Sequence, residues 1–162
     1  MVFATAVRLL GDASEAEDAA QTVFLRAFQH YAQLASNPAA AGWLKTTTRN
    51  VCLNHLTRYR SRRALFSELD AADSPGSYEH TLEGRVTMAI DEERRDRHER
   101  VERAVRRLPD HQRVPLVLFH FEELSYEEIA QTLGVSLGKV KTDIHRGRDV
   151  LRRLLIDDES RS

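Results

Sequence analysis

The sequence predicts an all-α protein of two small helical modules joined by a flexible linker, the second module containing a helix-turn-helix. Three observations lead there. Apolar residues recur at steps of three and four along most of the 162 residues, which is the period of a helix. No alternating apolar and polar run competes for a strand. Between the two periodic halves the chain becomes acidic and loses its period, and the segment "DAADSPGSYEH" is a loop by composition.

The elements follow in order. Phe3, Ala6, Val7 and Leu10 form a first helical pattern that Gly11 stops. Ser14 and Glu17 have the spacing of a capping box for a second helix. Its stripe is Ala20, Val23, Phe24, Ala27, Phe28 and Tyr31. "SNP" at Ser36 to Pro38 reads as a turn. A third helix is expected from about Ala40 to Tyr59, with Trp43, Leu44, Val51 and Leu56 inward. Helical spacing returns at Val101, Ala104, Val105 and Leu108, and Pro109 suits a helix start. Val114, Val117, Leu118 and Phe121 follow, with Pro115 expected to kink or open that helix. Ser125 to Glu128 is a second capping box, Gly134 ends its helix, and Ser136 can cap the last one. The expected division is 1–63, a linker 64–98, and 99–162.

Composition narrows the function. A hydrophobic content of 41% supports a core. The apolar runs are too short to span a membrane, and the N-terminus lacks a basic segment followed by an apolar one. One cysteine, Cys52, leaves no internal disulfide, which fits a reducing cytoplasm. The histidines show no metal-ligand spacing and there is no Gly-rich phosphate loop. No catalytic residue, metal or cofactor is therefore assigned, and the chain does not read as an enzyme.

The net charge of −1 hides a segregation. Lys45, Arg49, Arg58, Arg60, Arg62 and Arg63 lie in a stretch without acids. From Ala64 to Glu93, Glu68, Asp70, Asp73, Glu79, Glu83, Asp91, Glu92 and Glu93 face only Arg85. Blocks of opposite sign imply different partners. In the last helix Val140, Ile144, Leu151 and Leu155 share one face. Lys141, Thr142, His145 and Arg146 fall on the opposite arc, flanked by Lys139, Arg148, Arg152 and Arg153. A helix in a major groove needs this arrangement, with cations for phosphates and Thr, His and Arg for base edges. An amphipathic helix with a solvated basic face has the same pattern. The capped helix and glycine turn before it favour DNA.

The segment "LPDHQRVPLVLFHFEELSYEEIAQTLGVSLGKVKTDIHRGRDVLRRLL" resembles region 4 of bacterial sigma factors of the extracytoplasmic-function type, within the sigma-70 family. "GDASEAEDAAQTVFLRAFQHY" and "GWLKTTTRNVCLNHLTRYRSRR" resemble region 2 of the same family. Both regions in this order are more specific than either alone. The resemblance implies roles for particular residues. Glu17, Asp18, Gln21, Phe24 and Leu25 would dock on the clamp coiled coil of the polymerase β′ subunit. Acids near a helix start are also favoured by its dipole. The turn from Leu34 to Ala40, including Ser36 and Asn37, would accept a flipped base of the −10 element, and Asn50 would help read it. Lys45, Arg49, Arg58, Arg62 and Arg63 would hold nearby phosphates. Ser136, Lys139, Lys141, Thr142, His145, Arg146 and Arg148 would contact the −35 element.

The partners so implied are core RNA polymerase, through the β′ clamp and the β flap, promoter DNA, and an anti-sigma factor as a further candidate. The acidic linker would run through polymerase channels built for nucleic acid. The expected location is cytoplasmic, without membrane insertion. The family commonly begins with a longer first helix, so the first bundle is expected to be short of packing surface. Asn54 stands where the family often has Asp. Asp143 stands where it often has Arg, and pairing with a neighbouring Arg is the expected use. An operator-binding regulator that never joins polymerase would need the last module only. A scaffold that binds only a protein partner is the other rival.

Overall fold

The computed structural model describes the backbone of residues 1–66 and 89–159, and the side chains of residues 1–58 and 94–158. Every regular element among the described residues is a helix. They fall into two compact units, α1 to α4 and α5 to α8. Residues 67–88 of the expected linker, and the side chains of Arg60, Arg62 and Arg63, lie outside the described residues.

In the first unit, α1 (Val2–Leu10) ends at Gly11, whose φ of 77° returns its N–H to the Val7 carbonyl. That turn leaves Asp12 extended, at φ −119° and ψ 134°. An extended residue is what an N-cap requires. Asp12 therefore caps α2 (Ala13–Gln29), accepting from the Glu15 N–H at 2.9 Å. The expected Ser14–Glu17 box is thus two residues too late: Ser14 is already helical. Ala16, Ala19, Ala20 and Val23 line the inner face of α2 against Ala6 and Leu9 of α1 and Cys52 and Leu56 of α4 (Ala40–Phe66). Small alanines let three helices approach closely, and each large apolar side chain buried there contributes about 1.5–3 kcal/mol. Thr48 is also buried, with its hydroxyl donating to the Leu44 carbonyl at 2.7 Å. The short α3 (Tyr31–Leu34) and a turn join α2 to α4.

In the second unit, α5 (Ala89–Arg106), α6 (Asp110–His120), α7 (Tyr126–Leu133) and α8 (Leu137–Glu159) enclose Val105, Leu108, Leu116, Leu118, Ile129, Val140 and Ile144. Pro109 precedes α6 as its cap residue. Helix α6 continues across the buried Pro115 to His120. The carbonyl that Pro115 leaves without a helical donor belongs to His111, an exposed residue of the first turn that water can reach. The α5–α6 turn is pinned by Arg113, which is only 4% exposed. Its guanidinium donates to the Leu108 carbonyl at 2.8 Å and to Asp110 at 2.7 Å. The Ser125 capping box forms in full at the start of α7. Gly134, at φ 65°, ends α7, and Ser136 accepts the Lys139 N–H at 3.2 Å to start α8. Helices α7 and α8 are the predicted helix-turn-helix.

Candidate functional site

Helix α2 turns Glu17, Asp18, Gln21, Phe24 and Leu25 outward, and all are exposed. Their steps of one, four, seven and eight place them in a band along one side of the helix. The apolar stripe expected on α2 divides at this point. Ala20 and Val23 are buried, whereas Phe24 is 57%, Phe28 80% and Tyr31 67% exposed. Packing from α1 and α4 covers only the alanine face. The sequence places Phe28 and Tyr31 in the apolar stripe with no binding role, but Phe28, four residues beyond Phe24, extends the exposed band to the end of α2, and Tyr31 stands exposed at the start of α3. Their spacing was the available signal.

A second surface lies where α3 leads into α4. Ser36 and Asn37 are exposed, and Asn37 Oδ1 accepts the Ala39 N–H at 2.9 Å, which holds the turn that starts α4. The His30 ring lies 5.7 Å from the Trp43 ring and ties the end of α2 to α4. Trp43 and Leu44 are half-buried, while Val51 and Leu56 are buried as expected. Lys45 and Arg49 sit one turn apart on α4, both half-buried, and Arg49 Nε is covered without a hydrogen-bond partner. Asn50 is exposed next to them in sequence. Arg58 goes elsewhere. It faces α2 across a groove shared with Asp18, Thr22, Arg26, Asn54 and His55. Helical geometry brings Lys45 and Arg49 together and separates Arg58 from both.

The third surface is the outer face of α8. Val140 and Ile144 are buried, and Lys141, Thr142, His145 and Arg146 are exposed. The predicted residues differ in how far they are already engaged. Ser136 holds the cap. Lys139 Nζ lies 2.8 Å from Asp143, so Asp143 pairs with Lys139 rather than with the arginine expected. Thr142 donates to the Gly138 carbonyl at 2.9 Å, and His145 lies 3.4 Å from Asp149. Arg148 is held against α6: its Nε donates to His120 Nε2 at 3.2 Å, and its guanidinium lies 5.4 Å from the centre of the Phe119 ring. Burial, then the charge of Arg148, lowers the His120 pKa below its ordinary value. A neutral His120 is the form able to accept that hydrogen bond. Lys141 and Arg146 form no ion pair among the described residues.

Among the described residues, no cluster of His, Cys, Asp and Glu could hold a metal ion. No described helix is long and apolar enough to cross a membrane.

Known proteins carry the same pattern. Residues 1–63 match the family description Sigma-70 region 2, and residues 98–151 match Sigma-70, region 4. The chain is 29% identical over 156 residues to the ECF RNA polymerase sigma factor SigW of Bacillus subtilis, covering 96% of this chain and 83% of that one. It is 31% identical over 150 residues to the RNA polymerase sigma-H factor of Pseudomonas aeruginosa, covering 92% and 77%. Its fold is similar to that of the sigma factor RpoE from Bartonella quintana, solved in complex with the anti-sigma factor NepR, with a TM-score of 0.55 at 23% identity, covering 95% and 89%. Two sigma regions in order, and relatives matched over most of their length, establish that this chain belongs to the extracytoplasmic-function sigma factors of the sigma-70 family, which direct promoter-specific initiation of transcription.

Proposed function

We propose that the work is divided between the modules as 1–63, a linker 64–98 whose ends, 64–66 and 89–98, are helical as parts of α4 and α5, and 99–162. The first module docks on the β′ clamp of core RNA polymerase through Glu17, Asp18, Gln21, Phe24 and Leu25. Its α3–α4 turn and Asn50 take and read a flipped base of the −10 element, with Lys45 and Arg49 at nearby phosphates. The second module rests on the β flap and lays α8 in the −35 major groove. The protein does no chemistry of its own. It acts in the cytoplasm, where binding energy places and opens a duplex, and an anti-sigma factor is a further partner of the same surfaces.

One observation carries this reading. Phe24 and Phe28 are 57% and 80% exposed on a helix whose acids and Gln21 share the same side. Large apolar side chains in a contiguous exposed band mark a protein contact. A plain operator-binding regulator has no use for them. Tethering to polymerase also lets α8 bind weakly by itself, because the first contact raises its effective concentration at the second.

Runoff transcription with purified core polymerase tests it. Start sites that depend on the added protein, and that Phe24→Ala removes, are expected. Neither transcript nor core binding in a pull-down would leave the operator-binding regulator as the better reading.

A further inference from the structure

Helix α8 carries an ion pair beside its own reading face. Lys139 Nζ and Asp143 Oδ2 are 2.8 Å apart, one turn along the helix. The Asp143 side chain is 9% exposed and that of Lys139 is 52% exposed. The carboxylate is therefore the fixed member, and it decides where the ammonium sits. Lys139 shares its side of the helix with Thr142 and Arg146, three and seven residues on. Asp143 lies toward the packed side, beside Val140 and Gly147 in the helical repeat.

An unpaired lysine on a DNA-facing helix is a hydrated point charge on a flexible stem, and it goes to phosphate. There it releases a counterion and carries no sequence information. Lys139 differs on both counts. Its charge is offset one turn away, and its stem is ordered before DNA arrives. An ammonium has three N–H donors, so holding Asp143 with one leaves two with a set direction. Directed donors with little net charge suit a base edge rich in acceptors. Guanine, with N7 and O6 side by side in the major groove, is the edge that fits best.

We propose that Asp143 is a positioning residue that turns Lys139 from a phosphate anchor into a reader of a guanine in the −35 element. This rests on the reading that α8 enters the −35 major groove.

The test measures holoenzyme affinity for promoter fragments in which each −35 base pair is replaced in turn, over a range of salt. Asp143→Asn is expected to lose about tenfold preference at one guanine position. It should also steepen the dependence of log affinity on log salt by about 0.9, as the freed lysine gains a phosphate. Asp143→Glu retains most of the preference. Lys139→Met, at an exposed position, loses the same preference with the salt slope unchanged, and adding Asp143→Asn to it changes little more. An unchanged base profile in either single variant overturns the proposal, as does a shallower salt slope in Lys139→Met. If Asp143→Asn fails to fold, Lys139→Met decides alone by the same two readouts. Lys141→Ala and Arg146→Ala separate the underlying reading: if neither weakens −35 dependence, α8 is not in that groove and both ideas fall. If they weaken it and the Lys139 and Asp143 variants do not behave as stated, only this proposal falls.

Discussion

Arg113 holds the α5–α6 turn by hydrogen bonds that no other side chain can replace. It is buried, it satisfies the Leu108 carbonyl, and it pairs with Asp110 at 2.7 Å. Removing it leaves a buried carbonyl short of a donor. Arg113→Ala should therefore cost about 2–3 kcal/mol, the scale of a lost charge-assisted bond with an unsatisfied partner. Lysine should recover little of that, because a single ammonium does not reproduce the fork. Chemical denaturation of the three proteins checks both statements. His120 gives a second residue-scale test. Its pKa is lowered from 6.5 by burial and by Arg148. The unfolded chain thus takes up a proton at a higher pH than the folded one, so stability falls as pH drops through 6.5 toward the lowered value. The burial is only partial, because the residue keeps much of its surface in water, so the effect is small. His120→Gln, which still offers Arg148 an acceptor, should flatten that part of the profile of melting temperature against pH, and an identical profile in both proteins would refute the assignment.

Among the helices, α2 and α8 show what a periodic pattern can and cannot say. The period placed both helices and their inward residues Val23, Val140 and Ile144, because those follow from spacing alone. It did not reveal that Phe24 and Phe28 are uncovered, since a stripe does not state where its partner helices end. It also chose Ser14 over Asp12 as the cap, because both have a glutamate three residues on. Only the left-handed Gly11, which makes Asp12 extended, separates them. The Arg148–His120 bond joins residues 28 apart, out of reach of any local rule. The uncovered face makes a clear prediction. Phe28→Ser should leave the melting transition nearly unchanged, within about 0.5 kcal/mol, as expected for an exposed site. If the α2 face docks on polymerase, the same substitution should weaken core binding about tenfold or more, since central aromatics dominate interfaces. A competition assay against wild-type protein measures the ratio. Helix α8 offers a packing test as well. A Cβ on Gly147 would lie 3.1 Å from Leu116 Cδ1 and 3.4 Å from the Gln112 carbonyl oxygen. Gly147→Ala gains about 1 kcal/mol of helix propensity against a mild overlap. Gly147→Val, larger and branched, should instead destabilise the second unit by about 1–3 kcal/mol through overpacking of α8 on α6.

For the chain as a whole, charge order along the sequence matters more than the total of −1. The two modules were legible because each carries its own helical period and its own motif. The residues between them carry neither, and what they do is legible only as charge. Glu68, Asp70, Asp73, Glu79 and Glu83 follow directly on the basic run that ends at Arg63. A polyanionic segment beside DNA-binding modules repels duplex and favours surfaces shaped for nucleic acid. The family resemblance implies that those surfaces belong to the polymerase channels built for nucleic acid. Replacing these five acids by Gln or Asn leaves both modules' own residues intact. Core binding in a pull-down should then be retained, because the α2 face is unchanged. Binding of the free chain to any duplex should rise, and more so at low salt, where charge is least screened. Initiation should fall even so, because the segment no longer competes for the nucleic-acid channel. Runoff yield measured together with core affinity gives the answer: full transcription from a neutralised segment would show that its charge has no part in initiation.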